Sequence, residues 1–245
     1  MNTSLITREI SYTTADGKTL VGFFVAPKST VPVAGVLVGP EWWGRNDYAI
    51  QRATELAEKG YAALAMDMYG DKKTTEQASL ASEWMTEVFQ APNTLLDRAQ
   101  AALETLKQQP EVDATRLAAI GFCFGGKVAL DLARAGAPLK AVVSLHGNLS
   151  AQTPAKAGTV QSHILVLHGE KDSMVSLDDV AHFEQEMKNA HVQYQVKVLP
   201  NAKHGFSNPL ADQRAKANGI DLAYNAEAEK DAIDTMYTFL GSQLA

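Results

Sequence analysis

Short apolar runs alternate with helix-length stretches along nearly the whole chain. Residues 19–26 (TLVGFFVA) follow the turn pair Asp16-Gly17, so 8–13 and 19–26 read as an antiparallel hairpin at one sheet edge. Residues 33–39 (VAGVLVG) form a continuous apolar run of the buried-strand type. A helical stretch from Tyr48 to Lys59 ends at Gly60, a residue suited to a C-terminal cap. Residues 61–66 then read as a strand. Helical patterns follow at 76–90 and 93–109, the second stopped by Pro110. Residues 117–122 (LAAIGF) form a strand and 124–135 a helix closed by Gly136. Strands are predicted at 140–146, 163–168 and 193–199, and helices at 176–190 and 222–240.

Strands that alternate with helices imply right-handed crossovers and a mostly parallel sheet of about eight strands with helices on both faces. The 245 residues fit one domain spanning 1–245. In such sheets the chemistry gathers beyond the carboxyl ends of the strands, so the residues following each strand carry the functional information.

Composition narrows the classes. Apolar residues are 46 % and charged residues 20 %, as in a folded globular protein with a sizeable core. The net charge of −6 and the lack of a basic block argue against a nucleic-acid partner. No apolar run reaches the ~18 residues of a membrane helix, and no basic stretch followed by an apolar one opens the chain as a secretory leader would. One cysteine excludes an internal disulfide and a cysteine-based zinc cluster. A cytoplasmic monomer or homodimer without metal or organic cofactor is the expectation.

The strand LAAIGF runs into Gly121-Phe122-Cys123-Phe124-Gly125 and then a helix. This is the nucleophile-elbow pattern with cysteine in place of serine. A nucleophile on a sharp strand-to-helix turn needs small neighbours two residues either side, and the helix N-terminus favours a thiolate and a developing oxyanion. No serine occupies the same glycine pattern. After the strand 163–168 comes Gly169-Glu170-Lys171-Asp172, which places a carboxylate where a triad acid belongs; Asp178 and Asp179 compete but fall inside a helical pattern. After the strand 193–199 comes Ala202-Lys203-His204-Gly205-Phe206. His204 is the best-placed histidine. His146, His163 and His168 sit on or at the ends of strands as core candidates, and His182 and His191 on or beside a helix. The order Cys123, Asp172, His204 is the nucleophile–acid–histidine order of α/β-hydrolases. The loop after strand 33–39 reads Pro40-Glu41-Trp42-Trp43-Gly44. Backbone N–H groups of Trp42 and Phe124 are the expected oxyanion hole, and Glu41 is a carboxylate able to accept the thiol proton. Trp43, Tyr69 and Phe206 flank these segments as candidate substrate-pocket walls.

Together GFCFGG, PEWWG, HGEKDSMV and AKHGF resemble the dienelactone hydrolase family. The resemblance implies an α/β-hydrolase fold, a Cys-Asp-His triad and a glutamate that helps switch the thiol between quiet and activated forms. It also exposes a departure. The family's dienelactone enzymes bind the substrate carboxylate with two arginines, one after the strand that here ends in Asp67-Met68-Tyr69-Gly70-Asp71 and one shortly after the histidine. Neither stretch has an arginine here, and Asp71 would repel a carboxylate. The expected activity is therefore hydrolysis of neutral aryl esters or lactones through a thioester, with a promiscuous phosphotriesterase activity beside it. The alternatives are carboxymethylenebutenolidase proper, a cysteine-based peroxide sensor, or a ligand-binding protein on the same scaffold. Mass spectrometry after mixing with an aryl ester separates them: a hydrolase shows a transient acyl adduct, a sensor only oxidation by peroxide, and a binder nothing.

Overall fold

The computed structural model describes residues 4–90 and 93–245; residues 1–3, the first of the stretch read for a leader, lie outside it. Eight strands form one sheet, β1 (Leu5–Thr13), β2 (Thr19–Pro27), β3 (Val33–Gly39), β4 (Ala62–Ala65), β5 (Val112–Phe122), β6 (Ala141–Leu145), β7 (His163–Gly169) and β8 (Tyr194–Leu199). Their order is β1-β2-β4-β3-β5-β6-β7-β8. The helices are α1 (Asp47–Glu58), α2 (Ala78–Gln90), α3 (Thr94–Lys107), α4 (Phe124–Arg134), α5 (Leu177–Asn189), α6 (Ala211–Asn218) and α7 (Ala226–Gln243). Every strand and helix read from the hydrophobic pattern is present. The chain clusters into two compact units that divide after Ala119, within β5.

In the first unit β1 and β2 pair antiparallel from Leu5↔Pro27 to Thr13↔Thr19, the hairpin expected around Asp16-Gly17. β2 also runs antiparallel to β4, while β3 and β4 are parallel. The β3 and β4 cores are small and aliphatic, and Val36, Leu37, Val38, Ala63 and Leu64 are fully buried. α1 packs on β2 and β4, and α3 on β3. Asn46 starts α1 by accepting the Ala49 N–H at its side chain.

In the second unit β6, β7 and β8 are parallel neighbours, so their carboxyl ends share one direction. α4 packs on β6, and α7 on β6 and β7. α5 begins with a capping box in which Ser176 and Asp179 satisfy each other's backbone N–H groups.

Two elements differ from the sequence reading. β5 begins at Val112, five residues early, because its first turn carries Asp113, Thr115 and Arg116, whose polarity hides the strand pattern. Arg116 and Thr115 both hydrogen-bond the Asp113 carboxylate there. α6 is additional. Its sequence ADQRAKAN buries only Ala211 and Arg214 and has no apolar stripe, so alanine propensity rather than amphipathicity marks it. No helix among the described residues is long and apolar enough to cross a membrane.

Candidate active site

β5 delivers the chain into Cys123 with φ 52° and ψ −113°, a conformation that a residue bearing a Cβ adopts only when its surroundings enforce it. Packing supplies the enforcement. A Cβ on Gly121 would lie 2.0 Å from the Gly125 carbonyl oxygen, and one on Gly126 would lie 2.5 Å from Ser144 Oγ. The first clash matches the expected need at 121; the need at 126 comes from β6 and is invisible in the local motif. The Cys123 N–H donates to the Leu145 carbonyl at 3.0 Å, pinning the elbow to the end of β6. The Cys123 carbonyl accepts from Gly126 and Lys127, which opens α4 immediately behind the sulfur. Its thiol is half-buried, and Phe124 is buried at the first helical position.

The acid stands in the turn after β7. Asp172 Oδ1 accepts from the N–H groups of Met174 and Val175, both at 2.9 Å, and Oδ2 meets His204 Nδ1 at 2.8 Å. Burial raises the Asp172 carboxyl, but the His204 hydrogen bond and charge, with the two N–H groups, hold it below its ordinary value. The competing carboxylates are placed elsewhere: Asp178 and Asp179 are exposed on α5, where Asp179 serves the helix cap.

His204 follows β8 and is buried. Burial pushes its imidazole down, yet the negative charge of a Cys123 thiolate and hydrogen bonds to Asp172 and Cys123 lift it to about 10. Cys123, His204 and Asp172 thus form one hydrogen-bonded series, with Nδ1 turned to the acid and the other ring nitrogen left for the sulfur.

The acid and histidine loops are braced against each other. Lys171 N–H donates to the Ala202 carbonyl at 2.8 Å, and Asn201 N–H to the Glu170 carboxylate at 2.9 Å. Asp221 accepts from Ser173 Oγ and Lys203 Nζ, one neighbour of Asp172 and one of His204.

Sequence reading left two histidines as core candidates that sit close behind this series. His146 is fully buried, adopts φ 40° at the end of β6, and lies edge-on to His204 at 5.4 Å between ring centroids. Its Nε2 is 2.8 Å from Ser207 Oγ, which ties the histidine loop to β6. His168 is buried at the end of β7, and burial holds its imidazole below the ordinary value. The signal was there in the string: both histidines directly precede a glycine at a strand end. By contrast His163 is half-buried, and His182 and His191 are exposed.

In the first unit Glu41, Trp42 and Trp43 form a turn after β3, closed by Gly44 N–H donating to the Glu41 carbonyl at 3.2 Å. Glu41 and Trp43 are buried and Trp42 half-buried, with the two indoles edge-to-face at 5.0 Å. Tyr69 is buried after β4 and lies 5.5 Å from the Trp84 ring. In the second unit Phe206 is buried edge-on to His146. The cations near these segments are engaged: Arg45 with Glu9 at 2.9 Å, Lys203 with Asp221 at 2.7 Å, and Arg98 with the Met68 carbonyl. Among the described residues no three His, Cys, Asp or Glu side chains are grouped as metal ligands.

Residues 20–244 match the model of the dienelactone hydrolase family. A Bradyrhizobium protein named "Probable 2-oxo-3-(5-oxofuran-2-ylidene)propanoate lactonase" is 27 % identical over 211 residues, covering 80 % of this chain and 83 % of that one. A crystal structure described as a dienelactone hydrolase-like promiscuous phosphotriesterase from metagenomic libraries superposes with a TM-score of 0.91 at 39 % identity. It covers 99 % of this chain and 100 % of that one. An α/β-hydrolase enzyme from a Medee basin deep-sea metagenome library shares the fold at a TM-score of 0.71 and 20 % identity, over 97 % of this chain and 98 % of that one.

Proposed function

Since the chain belongs to the dienelactone hydrolase family and is an ester-cleaving hydrolase, we propose that it hydrolyses neutral aryl esters and lactones through a thioester on Cys123. The observation that carries this reading is the hydrogen-bonded series from Cys123 through His204 to Asp172 on a strained elbow. The thiolate attacks the acyl carbon; a C–S bond forms and the carbonyl electron pair moves to oxygen. Backbone N–H groups of Trp42 and Phe124 hold that oxyanion, each such donor being worth ~10²–10³ in rate. Collapse breaks the C–O bond, and His204 protonates the departing alkoxide. His204 then takes a proton from water, whose oxygen attacks the thioester and releases the thiolate. We place the protein by default in the cytoplasm, as a monomer or homodimer.

Preference for neutral substrates follows from the charges. Arg45 and Lys203, the cations that could replace the family's arginines, are each held by a carboxylate. Asp71 is exposed at the first arginine stretch. A neutral p-nitrophenyl ester is therefore hydrolysed with a kcat/KM at least about tenfold above that of a dienelactone carboxylate, a gap of ~1.4 kcal/mol in transition-state binding. Measuring both on one preparation checks this, and a dienelactone rate equal to or above the ester rate defeats it.

A phosphotriester reading stands beside the ester one because a structure at 39 % identity over almost the whole chain is described as a promiscuous phosphotriesterase. Attack at phosphorus forms a P–S bond and expels an aryloxide, with the phosphoryl oxygen taking the place of the carbonyl oxygen. Release of 4-nitrophenolate from a neutral diethyl aryl phosphate, lost together with esterase activity in Cys123→Ala, tests it.

Glu41 has a separate role in this reading. Its carboxylate disfavours a second negative charge beside it, keeps the resting thiol quiet, and accepts its proton when substrate enters, relaying it to His204, which later gives it to the departing alkoxide. Glu41→Gln removes the charge and keeps the shape. Iodoacetamide then alkylates Cys123 several-fold faster at neutral pH, while ester turnover falls. Alkylation-against-pH curves that coincide with wild type, at unchanged turnover, reduce Glu41 to a loop residue.

A further inference from the structure

The turn bearing Trp42 is held in the first unit by a bond for each of its carbonyl groups. The Glu41 carbonyl accepts from Gly44 N–H at 3.2 Å, the Trp43 carbonyl from Thr75 N–H at 3.1 Å, and the Gly44 carbonyl from Asn46 N–H at 2.8 Å. The remaining one, Trp42, accepts from the Tyr69 hydroxyl at 3.0 Å, the one of the four whose donor is a side chain. Gly44 also pairs with Thr74 as an isolated antiparallel bridge. The turn after β3 is therefore stitched to the segment 69–75 after β4.

That segment is itself anchored. Asp67 is fully buried, and its carboxylate accepts from the N–H groups of Val21, Tyr69, Gly70 and Lys72 at 2.9–3.2 Å. Two of these bonds go to Tyr69 and Gly70, which fixes where the Tyr69 ring leaves the backbone. Tyr12 hydroxyl donates to the Asp67 carbonyl and accepts the Asp67 N–H, locking the same residue to β1. The Tyr69 ring is then held against Trp84, and the hydroxyl reaches the Trp42 carbonyl.

We infer that Tyr69 is a positioning residue for the oxyanion hole: its hydroxyl fixes the Trp42–Trp43 peptide and so the Trp42 Cα, one end of the Glu41–Trp42 peptide whose N–H is the donor and whose carbonyl is held by Gly44 N–H. This rests on the reading of Trp42 N–H as an oxyanion donor in a Cys123 hydrolase. A hole works by donors fixed before charge develops, so a donor free to rotate loses part of its value in the transition state and little in the ground state. The role differs from that of a pocket wall, whose loss weakens substrate binding.

Tyr69→Phe keeps the ring and removes one hydroxyl. The expected result with a p-nitrophenyl ester is a kcat lowered about tenfold, within the ~10²–10³ that a whole donor is worth, and a KM within about twofold of wild type. Alkylation of Cys123 by iodoacetamide keeps its rate, because displacement of iodide at a saturated carbon forms no oxyanion. Thiohemiacetal formation with an aldehyde analogue of the ester weakens in parallel with kcat. The inference is overturned by an unchanged kcat, by a rise in KM alone, or by a fall in alkylation rate equal to the fall in kcat. The reading beneath it has its own test: wild-type protein that forms no acyl adduct on Cys123 fails that reading, whereas a normal adduct with an unimpaired Tyr69→Phe fails only the inference.

Discussion

Cys123→Ala abolishes turnover of p-nitrophenyl esters, a loss of about four orders of magnitude or more in kcat/KM. No other group takes over. The chain has one cysteine, and no serine shares the glycine spacing that creates the elbow. The fold survives the change. Alanine has the same Cβ as cysteine, so the cost of φ 52° at this position is already met by the packing of Gly121 against Gly125 and of Gly126 against Ser144. The bond from the residue 123 N–H to the Leu145 carbonyl is a backbone bond and remains. Circular dichroism and a melting temperature within a few degrees of wild type accompany the inactive protein. The variant also reports on His204. With the thiolate gone, Asp172 alone offsets burial less completely than both partners do together, and the imidazole titrates well below the value of about 10 that it has beside a Cys123 thiolate. An NMR titration of the His204 ring reads this directly. Ester turnover near wild type in Cys123→Ala would end the thioester mechanism.

The elbow and its partners were readable because each lies immediately beyond a strand that periodicity reveals. LAAIGF, HILVLH and QYQVKVL are apolar enough to be recognised, and Cys123, Asp172 and His204 follow them within a few residues. The parallel pairing of β7 with β8 brings the ends that carry Asp172 and His204 to one side, and the bond from Cys123 N–H to the Leu145 carbonyl ties the elbow to the end of β6 beside them. What was not readable depends on contacts between distant residues. The Tyr69 hydroxyl and the Trp42 carbonyl are 27 residues apart, and nothing in either segment marks the bond. His146 and Ser207 are 61 residues apart, and a histidine in an apolar run looks like any core residue. Ser173 and Lys203 meet through Asp221, an exposed aspartate in a stretch with no pattern. Gly126 is required by Ser144 on another strand, while the motif drew attention to Gly125. The missed helix α6 and the early start of β5 share a different cause: both are polar, and a method that follows apolar periodicity passes over them.

His204→Ala lowers kcat by about three to four orders of magnitude, since the residue serves as acid toward the alkoxide and as base toward water, and one side chain fills both roles. Asp172→Ala is severe but milder. The thiolate and imidazole can still meet, while the ring loses the 2.8 Å bond that holds Nδ1 and with it the correct orientation. Asp178→Ala and Asp179→Ala leave kcat within about threefold of wild type; both side chains are exposed, and Asp179 is spent on the cap of α5. The acid limb of stability separates the same residues. Asp172 has its carboxyl depressed in the folded protein, so its contribution is fully present above the ordinary carboxylate value of 3.8 and is lost as pH falls through the lower folded value. Wild type is therefore more stable than Asp172→Asn at pH 6, and the difference shrinks as the medium is acidified below about pH 4. Steady-state kinetics for the four alanine variants and paired thermal melts from pH 6 to pH 2 carry the test. Damage that followed Asp178 or Asp179 instead of Asp172 would move the acid of the triad onto α5 and leave the bond between Asp172 and His204 without a catalytic purpose.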